Sequence, residues 1–208
     1  MPRTMLDRFE QRKATRAKLV DAALGLFSTS GYDHATVDEI SQAAGYSKGA
    51  YYFHFSTKDD ILLELLRMWT ADRNVQLAGA SESASTREGL LDTLAGFYSY
   101  ASSPRWPGVL LEFWAQAMRN QEVSKRLTEA YAVWRRELTE AFAVAHRSGV
   151  IAASPADAAA VALAAHDGYA VQVAIAAPGV KAMTPTALAE TLLQPLETAA
   201  AERRQASR

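Results

Sequence analysis

Between Thr36 and Lys58 the chain gathers hydroxyls at Thr36 and Ser47, phenols at Tyr46, Tyr51 and Tyr52, an imidazole at His54 and ammonium groups at Lys48 and Lys58. A packed core has little use for so many donors, since each buried polar group must find a partner or cost free energy. The phosphate oxygens and base edges of a nucleic acid duplex offer acceptors for all of them. Groups that would catalyse a reaction are scarce. His34, His54, His146 and His166 are scattered, no HExxH run or glycine-rich phosphate loop occurs, and there is no cysteine. His166 is followed by Asp167, but adjacent residues on a helix are expected to point in different directions. No nucleophile has an evident base beside it, so no catalytic, metal or cofactor site is read here.

The elements that must position those donors are helices. In 208 residues with an apolar fraction of 49%, alanine and leucine saturate long segments and no period-two alternation is sustained, which predicts an all-α fold with ample core. The net charge of -1 argues nothing for nucleic acid, yet Arg3, Arg8, Arg12, Lys13, Arg16 and Lys18 face only Asp7 and Glu10. Such an arm is usually a solvated face; ahead of a duplex-reading unit it would touch backbone or minor groove. Zero cysteines exclude a disulfide framework, and the first residues contain no apolar run for a signal peptide, so a cytoplasmic protein is expected. The alanine-rich run from Ala156 to Ala177 is punctuated by Asp157, His166, Asp167 and Gln172, and reads as a buried helix with no membrane partner.

Lys13 to Ser30 carries a helical apolar stripe (Val20, Ala23, Leu24, Phe27) and ends at Gly31, a left-handed cap. Thr36 with Glu39 three residues on forms a capping box for a second, short helix. Gly45 interrupts it, and Ser47 caps a third helix to about Phe53. Two short helices joined at a glycine make a helix-turn-helix. Thr57 with Asp60 starts a long fourth helix bearing Ile61, Leu62, Leu65, Leu66 and Trp69. Residues 78 to 88, AGASESASTRE, read as a surface connection. Further helices are expected over Thr86–Ala101, Trp106–Asn120, Glu122–Arg147, Pro155–Ala176 and from Pro185, the last two opened by Ser154-Pro155 and Thr184-Pro185 pairs.

In a helix-turn-helix the second helix enters the major groove. With Ser47 as its cap and Gly49 holding no bulk against the duplex, Lys48, Ala50 and Tyr51, with Tyr46 from the turn, would reach base edges. Tyr52, His54, Lys58 and Thr36 would donate to phosphates from the flanks. Phe53 and Phe55 are expected in the core by the ordinary burial of phenylalanine.

These residues carry a family resemblance. The run HATVDEISQAAGYSKGAYYFHFSTKDDILLELL, residues 34 to 66, resembles the TetR family of transcriptional regulators: Thr36, Val37, Ile40, Ala44, Gly45, Ser47, Gly49, Tyr52, His54, Phe55, Lys58, Asp59 and Leu62 fall in the family's order. The resemblance implies a homodimeric, all-helical DNA-binding regulator, read here as a repressor although the residues do not separate it from an activator, with a three-helix DNA-binding domain over residues 10–60 and a helical ligand-binding and dimerisation domain over 61–208. It implies a palindromic DNA operator and a small-molecule effector as partners. Tyr52, His54, Lys58 and Thr36 match its phosphate anchors, and Lys48, Ala50 and Tyr51 its base-contacting positions, although an aliphatic residue is common where Tyr51 stands.

In the second domain Phe97, Tyr100, Trp106, Phe113, Trp114, Tyr131, Trp134 and Tyr169 recur at helical spacing, together with His166. Each alone would be ordinary core. Together they suit an apolar cavity for a hydrophobic or aromatic effector. Ala164, Gly168, Val171 and Ile175, with Leu188, Leu192, Leu196 and Ala199, mark the last two helices as the dimer face, and Pro195 is expected to kink the last one. The rival reading is an all-helical small-molecule-binding protein or enzyme without DNA binding.

Overall fold

A computed structural model describes residues 5–99, 105–175 and 183–206. Among these residues all regular structure is helical: α1 (Met5–Ser30), α2 (Val37–Ala43), α3 (Lys48–His54), α4 (Lys58–Leu77), α5 (Ala80–Ser83), α6 (Arg87–Tyr98), α7 (Trp106–Ala117), α8 (Gln121–Arg147), α9 (Pro155–Ala174) and α10 (Pro185–Ala206). No helix among them is long and apolar enough to cross a membrane. The expected boundaries hold to a few residues, α10 running through Pro195 as its stripe to Ala199 required, except that α1 begins at Met5 rather than Lys13 and α5 occupies part of the expected surface connection.

The chain divides into two compact units, one of residues through Met68 with Gly108–Ser124, the other of Trp69–Pro107 with residues from Lys125 onward. The division thus falls inside α4 rather than at residue 60, and most of α7 belongs with the first unit. Local chemistry explains the α2–α3 pair. The Thr36 hydroxyl accepts from the Glu39 amide at 3.2 Å while the Thr36 amide donates to the Glu39 carboxylate at 2.8 Å, closing the expected capping box. Gly45, at φ +76, takes the left-handed step that a side chain would resist. Ser47 then accepts from the Ala50 amide at 3.3 Å to start α3.

A core of Leu19, Ala23, Phe27, Ile40, Tyr51, Phe55, Ile61 and Leu65 closes the first unit. Segment 108–124 is stitched in by polar bonds as well: Gln116 donates to the Asp33 carboxylate at 3.3 Å and Asn120 to the Asp59 carboxylate at 2.9 Å. Gly108 lies so close to α1 that an added Cβ would stand 2.9 Å from the Ser28 carbonyl oxygen. In the second unit α10 packs along α6. Leu188, Leu192 and Leu193 are buried there, and Arg87 of α6 pairs with Glu190 at 2.5 Å and Glu197 at 2.7 Å on α10. The stripe expected for dimerisation on α10 is therefore largely taken up within the chain, whereas Val161 on α9 and Ile175 just past its end are exposed at 51% and 63%, with exposed Ala164 between them.

Candidate nucleic-acid interface

A helix of only seven residues is marginal alone, so α3 depends on what it buries. Tyr51 is fully buried and donates its phenolic hydrogen to the Thr57 carbonyl at 2.9 Å. One turn on, Phe55 is also buried, its ring centroid 5.6 Å away. The reading of Tyr51 as a groove-facing residue is therefore corrected, since its ring is the peg that holds α3 to the unit. Burial raises its phenol pKa well above the ordinary value, with Asp60 adding to the shift.

The opposite face is open. Tyr52 and Phe53 are exposed at 51% and 63%, Lys48 and Gly49 are exposed, and Ala50, Tyr46 and His54 are partly so. Phe53 was expected in the core, and the structure overturns that. On a two-turn helix Tyr51 and Phe55 share one side, which leaves Phe53 on the other. An exposed phenylalanine on this helix is an apolar surface of the kind that meets thymine methyls. Arg12 of α1 lies over its ring with the guanidinium carbon 4.9 Å from the centroid, and Lys18 lies 5.8 Å above Tyr46. Gln11, Arg12, Thr15, Tyr46, Ala50, Phe53 and His54 together line an open groove of about 320 Å³.

The expected phosphate anchors are placed unequally. Lys48 donates to the Asp38 carboxylate of α2 at 3.0 Å, with both partners exposed. The Thr36 hydroxyl, also exposed, donates to Glu39 at 2.8 Å. Burial first, then the nearby Arg16 and Arg12 charges, lowers the His54 pKa, so at neutral pH its ring is an uncharged donor. Arg16 is held by the buried Glu64 carboxylate and stacks on Phe55. Glu64 in turn has its pKa lowered to about 2, by its bond to Arg67 first and by Arg16 as well.

Lys58 differs from the rest. Its ammonium donates to the carbonyls of Tyr32 at 2.6 Å, Ala35 at 3.0 Å and Asp33 at 3.3 Å, and it sits 4.2 Å above the Tyr32 ring. In this arrangement Lys58 closes the turn between α1 and α2 and has no hydrogen left for a phosphate. Lys58→Met should lower stability by about 1.5–3 kcal/mol, because charged hydrogen bonds are lost and carbonyls are left unsatisfied. Urea denaturation reads this directly. An unchanged midpoint with weakened DNA binding would return Lys58 to the anchor role.

Of the residues expected around an effector, Tyr100 lies outside the described residues, and Phe113 and Trp114 belong to the first unit. The second unit brings Phe97, Tyr131, Trp134 and His166 together: Phe97 is 5.2 Å from His166 and 6.2 Å from Trp134, and Tyr131 is 5.2 Å from Trp134. Trp106 is buried in the same unit, and the Tyr169 hydroxyl accepts from the Met183 amide. Trp69, Arg73 and Tyr98 join the cluster unforeseen. Trp69 stacks edge-on with Trp134 at 4.8 Å, and the Arg73 guanidinium lies 5.0 Å from the Phe97 centroid while only 1% exposed. Arg73 follows Trp69 by four residues on the apolar stripe of α4, which was its legible signal. Among the described residues no group of histidines and carboxylates is placed to hold a metal ion.

Comparison with known proteins matches residues 19–65 to the bacterial regulatory proteins of the tetR family and residues 87–197 to the C-terminal domain of BetI-type transcriptional repressors. An HTH-type transcriptional regulator of Bacillus subtilis, YwcC, is 38% identical over 104 residues, covering 46% of this chain and 47% of that protein. An HTH-type transcriptional repressor of Mycobacterium tuberculosis is 33% identical over 120 residues, 58% of each chain. The aligned stretch thus spans about half the length of these relatives. Among solved structures, a transcriptional regulator from Saccharomonospora viridis in complex with choline superposes with a TM-score of 0.71 at 23% identity, over 86% of this chain and 93% of that one. The transcriptional regulator FadR from Bacillus subtilis in complex with stearoyl-CoA gives 0.69 at 21% identity, over 88% and 97%.

Proposed function

Since the chain belongs to the TetR family, whose members regulate transcription by binding DNA and are not enzymes, we propose that it is a homodimeric repressor released from a palindromic operator by a small apolar or aromatic effector. The observation that carries this reading is α3 itself, buried on its Tyr51 side and open on the side of Lys48, Tyr52 and Phe53. In the dimer two such helices enter successive major grooves roughly 34–36 Å apart. Lys48, Ala50 and Phe53 face bases; Tyr52 and His54 donate to phosphate, while both donors of Thr36 are held by Glu39. The open apolar row of Val161 and Ala164 on α9 and Ile175 just past its end supports α9 as the face that meets the second copy. Choline and stearoyl-CoA in the structural neighbours support a small-molecule effector for this chain, which acts to the extent that it prefers the DNA-incompetent state.

Mobility shifts with the DNA flanking the gene, beside light scattering, test the proposal. The expected result is a dimer that shifts this DNA, and a Lys48→Ala variant that binds more weakly and discriminates less between operator and altered sites, by about 1–3 kcal/mol at the affected base pair. Uniform weakening of Lys48→Ala across all sequences would remove it from base reading, and a monomer without specific DNA binding would overturn the proposal.

A further inference from the structure

His166 of α9 is 1% exposed, and its Nε2 meets no hydrogen-bond partner among the described residues. The other ring nitrogen is engaged: Nδ1 lies 3.0 Å from Asp167 Oδ1, and Asp167 Oδ2 accepts the Tyr131 hydroxyl at 2.5 Å. Adjacent residues were expected to point apart, yet these two side chains touch. A carboxylate against Nδ1 keeps the proton there and leaves Nε2 with a bare lone pair. Burial lowers the pKa of this ring, Arg73 adding to the fall and Asp167 only partly opposing it, so it stays neutral.

The surroundings narrow what can meet that lone pair. Tyr98 stacks on the imidazole at 5.7 Å and 15°, and Phe97 lies 5.2 Å away. The polar tips of the neighbouring rings point elsewhere, the Tyr98 hydroxyl to the Ala162 carbonyl at 3.1 Å and the Trp134 indole to Asn74 at 3.0 Å. These rings therefore present flat carbon surface, with Nε2 as an acceptor set among them. The buried Arg73 guanidinium against the same Phe97 ring offsets the Asp167 carboxylate beside the imidazole, so the site carries no excess negative charge to hold a cation, and a quaternary ammonium group has no hydrogen to donate to Nε2. A buried acceptor without a partner is costly unless something donates to it.

We propose that His166 Nε2 accepts a hydrogen bond from the effector, and that the effector is a flat aromatic molecule with a hydroxyl donor and no positive charge, a phenol rather than a quaternary ammonium compound. This rests on the second unit being the effector domain. The Tyr131–Asp167–His166 chain fixes the tautomer that makes the site an acceptor.

Tryptophan fluorescence titration of the full chain with phenol, 4-hydroxybenzoate and 2-naphthol, each against its methyl ether, and with benzyltrimethylammonium, tests this. At least one phenol should bind about tenfold or more tightly than its ether, since the ether leaves the acceptor unmet, and the ammonium compound should not compete. His166→Phe keeps a flat ring on Tyr98 and should erase the preference. In case that variant fails to fold, nitrogen-15 histidine spectra of the wild-type protein give the same answer: Nε2 should appear as the unprotonated nitrogen and shift on adding the phenol but not the ether. Equal binding of every phenol and ether, or a proton on Nε2 in the free protein, overturns the proposal. Mobility shifts of the free protein separate the two readings, because operator binding with no phenol preference removes only this inference, while phenol binding without operator binding removes the repressor.

Discussion

Tyr51→Ala and Tyr52→Ala, neighbours in sequence and identical in chemistry, should fail in opposite ways. Removing the Tyr51 ring opens a cavity beneath α3 and deletes the bond to the Thr57 carbonyl. Aromatic-to-alanine changes at fully buried sites cost about 3–5 kcal/mol, a large part of the stability of a small domain. DNA binding should then vanish because α3 detaches, and a lowered melting temperature should precede any loss of affinity. Tyr52 is half exposed, touching Tyr51 edge-on at 5.5 Å, and its hydroxyl is open to a phosphate. Its removal should leave the unfolding free energy within about 0.5 kcal/mol of wild type while weakening binding to every DNA sequence alike. The conservative pair sharpens the contrast. Tyr52→Phe should reproduce the affinity loss of Tyr52→Ala, whereas Tyr51→Phe should recover most of the stability lost in Tyr51→Ala. Equal melting temperatures for the two alanine variants would mean that Tyr51 is not the peg of α3.

What could be read before the structure was mostly local. The Thr36–Glu39 and Thr57–Asp60 boxes, the Ser47 cap and the left-handed Gly31 and Gly45 depend on residues a few positions apart, and all stand where expected. The face of α3 was harder, because two helical turns carry too little periodicity to separate Tyr51 from Phe53; the pairing of Tyr51 with Phe55 at a four-residue spacing was the usable clue. The role of Lys58 was not legible, since its three carbonyl partners lie more than twenty residues earlier in the chain. Neither was the fate of the Leu188–Leu192 stripe, which could equally have closed a dimer or the chain's own second unit until α6 was seen beside it. Rotamer choice decided the His166–Asp167 contact, which residue spacing alone does not determine.

Affinity for the operator should fall steeply with salt, and the steepness should count cations rather than contacts. Tyr52 and the neutral His54 ring would donate hydrogen bonds to phosphate without carrying charge, so they add affinity but release no counterions. Arg16 is turned onto Glu64, which it shares with Arg67, and the Lys58 ammonium, still charged, is turned inward onto its carbonyls. Among the described residues, Arg12 over Phe53, Lys18 over Tyr46 and Lys48, whose exposed pair with Asp38 a phosphate can replace, are the cations set beside the exposed face of α3. Doubled in the proposed dimer, these predict a slope of log affinity against log salt of about -5, a loss of roughly a thousandfold between 50 and 200 mM salt. Lys18→Ala should reduce the slope by about 2, one unit for each subunit. Tyr52→Phe should lower affinity and leave the slope intact. A net charge of -1 makes the test a severe one, because the whole molecule offers no general attraction to DNA, and any strong salt dependence must come from charge concentrated at this surface. Filter binding at four salt concentrations measures it, and a flat response would show that the open face of α3 does not meet phosphate at all.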